Sequence, residues 1–224
     1  MTPTPTTLGV LYRDDALLVV DKPSGLLVHR GWDNDRVVAL TLARAIAGRH
    51  VFPVHRLDRA TSGVLVFALD SAMAAIVHGA FERGEVHKRY VALVRGVPPE
   101  EIVVDYPVPR SEKGERVPAV TEVRRLYALD GYAVVEARPR TGRLHQIRRH
   151  LRHLAHPIIG DVTYGDGKHN RAFRARFGLH RLALHARELR LLHPVTGEPL
   201  VFEAPVPDDL RGPLDQMGVP REIG

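Results

Sequence analysis

The stretch Val117-Pro118-Ala119-Val120-Thr121-Glu122-Val123-Arg124-Arg125-Leu126-Tyr127 is followed by Ala128-Leu129-Asp130-Gly131 and then by Tyr132-Ala133-Val134-Val135-Glu136-Ala137. Residues 117–127 and 132–137 are β-branched or alternate apolar with polar, which suits strands. Asp130-Gly131 between them is a dipeptide that tight hairpins favour. The pair predicts two strands joined by a turn.

Working outward, the same pattern recurs. Residues 8–12 and 17–20 are short apolar runs separated by Arg13-Asp14-Asp15, and read as a hairpin. Lys22-Pro23-Ser24-Gly25 is a turn by composition, since proline sets φ and glycine permits φ > 0. Helical spacing predicts a helix over 37–47, closed before Gly48. Residues 51–54 and 88–94 read as strands, and the continuous apolar run 64–69 as a buried one. Ser71 can cap a helix running to about Phe81. Downstream, 144–155 reads as a helix, and 182–192 and 200–203 as strands joined by a turn over 194–199. Strands outnumber helices and most connections are turns. That predicts an α+β fold, a single domain with a mixed, mainly antiparallel central sheet flanked by helices and loops. Residues 1–7 read as a disordered lead-in, 8–205 as the domain and 206–224 as a tail.

The chain has 224 residues and 44% hydrophobic content, ordinary for a globular domain. No apolar run approaches the ~20 residues of a membrane span. The N-terminus has neither the basic flank nor the apolar core of a signal peptide. The absence of cysteine excludes disulfides, thiolate metal sites and cysteine nucleophiles. A cytoplasmic monomer is expected. The net charge is +6. Residues 138–190 hold twelve arginines and Lys168 against Asp161, Asp166 and Glu188, so this window is basic and the remainder mildly acidic. Such a block is either a surface for polyanions or a solvated face.

The most informative loop is His55-Arg56-Leu57-Asp58-Arg59-Ala60-Thr61-Ser62-Gly63, which leads directly into the 64–69 run. Arg56 and Arg59 flank Asp58, and nearby positive charge favours an ionised carboxylate. A carboxylate delivered to the edge of a buried strand suits a nucleophile or a base. An ordinary turn with an Asp–Arg pair is the plainer alternative.

The 144–155 helix adds a second feature. On a helical wheel, Leu144, Ile147, Leu151, Leu154 and Ala155 form one apolar stripe, and Arg148 falls inside it. A cation on a core-facing stripe needs a buried anionic partner, for which Asp58 is a candidate, unless it snorkels to the surface. Arg149 and Arg152 lie further round, towards solvent or a ligand. His145, His150, His153 and His156 cluster here, but no acidic residue between Arg138 and Gly160 completes a metal site, so structural or RNA-contacting roles are favoured and no metal is expected. No glycine-rich phosphate loop and no G-x-S-x-G elbow is present.

Taken together, the motifs resemble a known family. His55–Gly63 with the following Val64-Leu65-Val66 is similar to the signature loop of the RluA-type RNA pseudouridine synthases. Asp21-Lys22-Pro23-Ser24-Gly25, Lys88-Arg89-Tyr90-Val91-Ala92, Thr141-Gly142-Arg143-Leu144-His145-Gln146-Ile147-Arg148 and His156-Pro157-Ile158-Ile159-Gly160-Asp161 match its other motifs in order. Within the family, the chain looks most like the tRNA-modifying branch. The resemblance implies an α+β catalytic domain. Many relatives carry an N-terminal S4 RNA-binding domain, and the residues before Asp58 leave no room for one. The resemblance also implies isomerisation of a uridine in structured RNA, tRNA ahead of rRNA, with no cofactor. Asp58 would be the essential carboxylate. Tyr90 would stack on the uracil, Ile147 would line its pocket, Arg148 would pair with Asp58, and Arg56 would help the base leave its stack. Arg59, Arg140, Arg143, Arg149 and Arg152 would contact RNA. Glycosidases use two carboxylates because water must be activated. Here the leaving base stays bound, so one suffices, acting at C1′ or on the 2′ proton. Base flipping, an aromatic stack and a basic surface fit that chemistry. A non-catalytic RNA-binding module and a His/Asp metal hydrolase are the alternatives.

Overall fold

The computed structural model describes residues 7–30, 37–111 and 114–223. The lead-in expected over 1–7 lies outside them except for Thr7. In chain order the elements are β1 (Gly9–Arg13), β2 (Leu17–Lys22), α1 (Ala39–Ala47), β3 (Phe52–Pro53), β4 (Ser62–Ala68), α2 (Ser71–Glu82), β5 (His87–Arg95), β6 (Glu101–Asp105), β7 (Val108–Pro109), β8 (Arg116–Val117), β9 (Val120–Leu129), β10 (Tyr132–Pro139), α3 (Gln146–His153), α4 (Gly167–Phe177), β11 (Leu184–Leu192), β12 (Pro199–Glu203) and α5 (Asp208–Gln216). They gather into two compact units. One takes the chain through His87 and again over Ala186–Pro205; the other takes Lys88–His185 and the residues from Val206 onward.

In the first unit the expected hairpin is formed by β1 and β2. Asp14 makes its turn: the carboxylate accepts the N–H groups of Ala16 and Leu17, each at 2.7 Å, and the Tyr12 hydroxyl at 2.6 Å. β2 pairs antiparallel with β4 from Leu17 opposite Ala68 to Lys22 opposite Gly63. β12 pairs antiparallel with β11. Leu17, Val19, Val64, Val66, Val77, Leu189 and Phe202 share one apolar core. The cap of α2 is Asp70, one residue before the serine expected to cap it. Its backbone is extended and its carboxylate accepts the Met73 N–H at 2.8 Å, so Ser71 becomes the first helical residue.

In the second unit β5, β10, β9 and β6 lie side by side in that order, all antiparallel. The 117–137 stretch forms β9 and β10, closed where Tyr132 faces Leu129, with Gly131 at φ +71° in the turn. The fold is therefore α+β with a mainly antiparallel sheet. α3 starts at Gln146, two residues later than helical spacing suggested, because His145 takes a left-handed backbone at φ 52°. Four elements were not anticipated, one of them the two-residue β7, which pairs with β8. β6 exposes most of its residues. α4 is cationic and offers only Phe173 as a fully buried side chain. α5 occupies the segment expected as a tail; it contains Gly212-Pro213 yet buries Leu210 and Leu214. Among the described residues no helix is long and apolar enough to cross a membrane.

Candidate active site

Asp58 belongs to the first unit, in the loop between β3 and β4. Leu57 is buried and anchors the loop, Asp58 is half-buried, and Arg56 and Arg59 are exposed. The Asp58 carbonyl accepts the Thr61 N–H at 3.0 Å, which closes the loop three residues on. Upstream, His55 Nε2 accepts the Val66 N–H at 3.0 Å, and its ring stacks on Phe81. Downstream, Gly63 sits at φ +112°, and a Cβ there would lie 2.2 Å from the Ala186 carbonyl oxygen. Both the positive φ and the close backbone approach require glycine.

A second loop clamps the first. Lys22, fully buried, donates from Nζ to the carbonyls of Leu26 at 2.8 Å, Pro23 at 2.9 Å and Arg59 at 3.2 Å. The Arg59 carbonyl also accepts the Gly25 N–H at 2.8 Å, Arg59 Nε donates to the Gly25 carbonyl at 3.1 Å, and Ser24 Oγ donates to the Ala60 carbonyl at 2.8 Å. The turn at 22–25 is thus the brace of the Asp58 loop. Composition revealed the turn but not the brace, because a lysine at the end of a strand gives no sign that it is buried. Arg59, expected on RNA, spends its Nε on this brace.

Tyr90, Ile147 and Arg148 belong to the second unit. In the sheet register Tyr90 faces Ala137, and Ala137 faces Val123, so these three point to one side. Thr121, two residues along β9, shares that side. It is where α3 is fastened. Gln146 Nε2 donates to Thr121 Oγ1 at 2.9 Å and to the Val120 carbonyl at 2.9 Å, while Gln146 Oε1 accepts Thr141 Oγ1 at 2.6 Å and the Arg143 N–H at 3.1 Å. His150, fully buried, continues the chain: Nε2 faces the Tyr106 carbonyl at 2.8 Å and Nδ1 faces Thr121 Oγ1 at 2.9 Å. A carbonyl only accepts, so Nε2 carries the proton and Nδ1 accepts from the threonine. The ring is neutral, and burial pushes its pKa below the usual histidine value. This network explains locally why Thr141, Gln146 and His150 stand where they do.

The carboxylate that meets Arg148 within this unit is Asp161, which helical spacing could not name. Arg148 Nε donates to Oδ2 at 2.8 Å and Nη2 to Oδ1 at 2.9 Å, with side chains only 9% and 1% exposed. Burial alone would raise the Asp161 pKa. The hydrogen bonds from Arg148, with those from the Tyr164 and Thr163 amides, outweigh it and hold the carboxyl below the usual aspartate value. The Tyr164 ring lies under the Arg148 guanidinium, 5.0 Å from its centroid. Its hydroxyl accepts Arg149 Nε at 3.0 Å and meets His145 Nδ1 at 3.0 Å.

The other arginines expected on RNA divide. Arg152 is exposed. Arg143 is exposed, and its side chain bonds the Pro118 carbonyl. Arg140 pairs with Glu122. Arg149 is half-buried, with Nη1 on the Pro109 carbonyl at 2.8 Å, and braces the site. Among the described residues no group of three His, Asp or Glu side chains could hold a metal ion.

The chain is similar to known proteins along most of its length. Residues 16–153 match the family model for RNA pseudouridylate synthase. The chain is 44% identical to the tRNA pseudouridine synthase C of Vibrio cholerae serotype O1, over 94% of this chain and 96% of that protein. It is 43% identical to the Salmonella typhimurium protein of the same name, over 94% and 90%. Among solved structures, human RNA pseudouridylate synthase domain containing 4 superposes with a TM-score of 0.78 at 31% identity, covering 94% of this chain and 93% of that one.

Proposed function

The chain belongs to the RNA pseudouridylate synthase family, and we propose that its substrate is a uridine in tRNA and that Asp58 is its catalytic carboxylate. The observation that carries the tRNA assignment is the 44% identity, over nearly the whole of both chains, to a protein named tRNA pseudouridine synthase C. The braced loop carries the second half. A half-buried carboxylate whose loop is held by Lys22, Ser24 and Gly25 through the carbonyls of Arg59 and Ala60 is prepared to meet a fixed atom.

The reaction breaks the N1–C1′ bond, turns the uracil and joins C5 to C1′; the proton lost from C5 is matched by one gained at N1, so the product is an isomer. One carboxylate serves both bond changes at C1′ because the base never leaves. Catalysis then depends on orientation, which the brace supplies. Tyr90 stacks on the target base and Ile147 lines its pocket. Arg148 is held by Asp161 as a positioned cation. Arg56, exposed beside the carboxylate, assists the base out of its stack. Arg59, Arg140, Arg143, Arg149 and Arg152 belong to the RNA-facing surface, with Arg152 and Arg143 the most available.

Nucleotide-resolution pseudouridine mapping of total RNA from a deletion strain tests the substrate. The expected result is loss of pseudouridine at a tRNA position, restored by the wild-type gene. Loss confined to rRNA would overturn the tRNA assignment.

A further inference from the structure

α4 carries a cationic face with no carboxylate partner among the described residues. Its inner side is fully engaged. His169 Nδ1 meets the Tyr132 hydroxyl at 2.8 Å, and Phe173 is buried against Tyr132 with ring centroids 4.8 Å apart. Asn170 accepts the Gly160 N–H and donates to the Asp161 carbonyl, each at 2.8 Å. The outer side holds Lys168, Arg171, Arg174 and Arg176, all exposed, separated only by alanines. The helix contains no acidic residue. Among the described residues no carboxylate pairs with any of these four side chains. Elsewhere many exposed arginines are paired: Arg83 with Glu85, Arg140 with Glu122, Arg190 with Glu188, Arg221 with Asp215. Lys168, Arg171 and Arg174 follow at three-residue steps, so like charges stand side by side on the helix surface and repel. Apart from Arg176, whose guanidinium lies 5.0 Å from the Phe177 ring centroid, no ion pair or side-chain hydrogen bond among the described residues offsets that local cost, which marks a surface shaped for something else.

We propose that α4 is a rail for the RNA phosphate backbone, outside the segment that enters the active site. The reading rests on the RNA substrate proposed above. Arginine is suited to phosphate because its planar fork donates two parallel hydrogen bonds. The rail is also tied to the active-site side of the unit. Asn170 bridges Gly160 and the carbonyl of Asp161, the residue that fixes Arg148. A backbone held on α4 therefore bears on a helix fastened to the Arg148 anchor. The contact is electrostatic and blind to sequence, so it adds affinity and orientation to any RNA of the right shape.

The test is equilibrium binding of an unmodified tRNA transcript across a potassium chloride series, with wild type, Arg171→Ala/Arg174→Ala, Arg171→Glu/Arg174→Glu and the control Arg83→Ala. Each lost phosphate contact lowers the slope of log affinity against log salt by about 0.7 to 0.9. The double alanine protein is expected to lose about 1.5 from the slope and to bind about tenfold more weakly at low salt, with kcat at saturating RNA unchanged. The charge-reversed protein is expected to bind more weakly still, and Arg83→Ala as wild type. A wild-type slope and affinity in both α4 variants overturns the proposal. Pseudouridine formation by wild type in the same transcript reads the catalytic assignment separately: its absence counts against that assignment, while the slope comparison still decides for or against the rail.

Discussion

Arg148 and Asp161 face each other through two parallel hydrogen bonds, Nε to Oδ2 at 2.8 Å and Nη2 to Oδ1 at 2.9 Å, almost wholly out of solvent. Removing one partner of such a pair leaves a buried charge uncompensated, at a cost of about 3–5 kcal/mol. Asp161→Ala and Arg148→Ala are expected to lose that much in urea unfolding and to lose activity. Asp161 is not expected to touch substrate, so its loss acts by releasing Arg148. A stable, active Asp161→Ala protein would refute the anchor.

His150 makes stability depend on pH. Burial lowers its pKa in the folded protein below the unfolded value of 6.5. Below that value the unfolded chain binds a proton that the folded chain refuses. The stabilisation from a neutral His150 is therefore complete above about pH 6.5 and is lost as pH falls through the window beneath it, at up to about 1.4 kcal/mol per pH unit. Protonating Nδ1 would also end its role as acceptor of the Thr121 hydroxyl. His150→Gln is expected to flatten the fall in unfolding free energy from pH 6.5 towards 5, relative to wild type. Identical pH slopes would contradict the neutral-histidine network.

Lys22 is expected to matter for catalysis without contacting RNA. Lys22→Met deprives three carbonyls of a charged donor, and the Asp58 loop loses its brace. Charge-assisted bonds of this kind are worth about 1.5–3 kcal/mol each. The variant should lose several kcal/mol in urea unfolding and at least tenfold in kcat, with KM for RNA changed much less. A kcat equal to wild type would show that the loop holds its shape unaided.

Much of this was legible in the sequence, for identifiable reasons. The 117–137 hairpin was readable because alternation and Asp130-Gly131 agree. The Asp58 loop was readable because its residue pattern is dense and ordered. Arg148 was recognised as a cation on an apolar stripe that needs a carboxylate. Spacing along one helix, however, cannot choose among carboxylates distant in the chain, so it does not single out Asp161 as the partner. Lys22 was hidden because burial of a lysine is a property of the two loops it joins. α4 was hidden because cationic residues and a leading glycine mask its apolar side, which only Phe173 and Phe177 mark. The tail concealed α5 because Gly212-Pro213 reads as a break, whereas Leu210 and Leu214 hold the helix by packing.

Asp58 is proposed to perform the isomerisation. The most direct measurement is pseudouridine formed by purified Asp58→Asn protein in a tRNA transcript, beside wild type, with RNA affinity measured on both. Asparagine keeps the size of the side chain and removes its charge. The expected result is no detectable pseudouridine with RNA affinity within a few-fold of wild type. Pseudouridine formation at the wild-type rate would contradict the account.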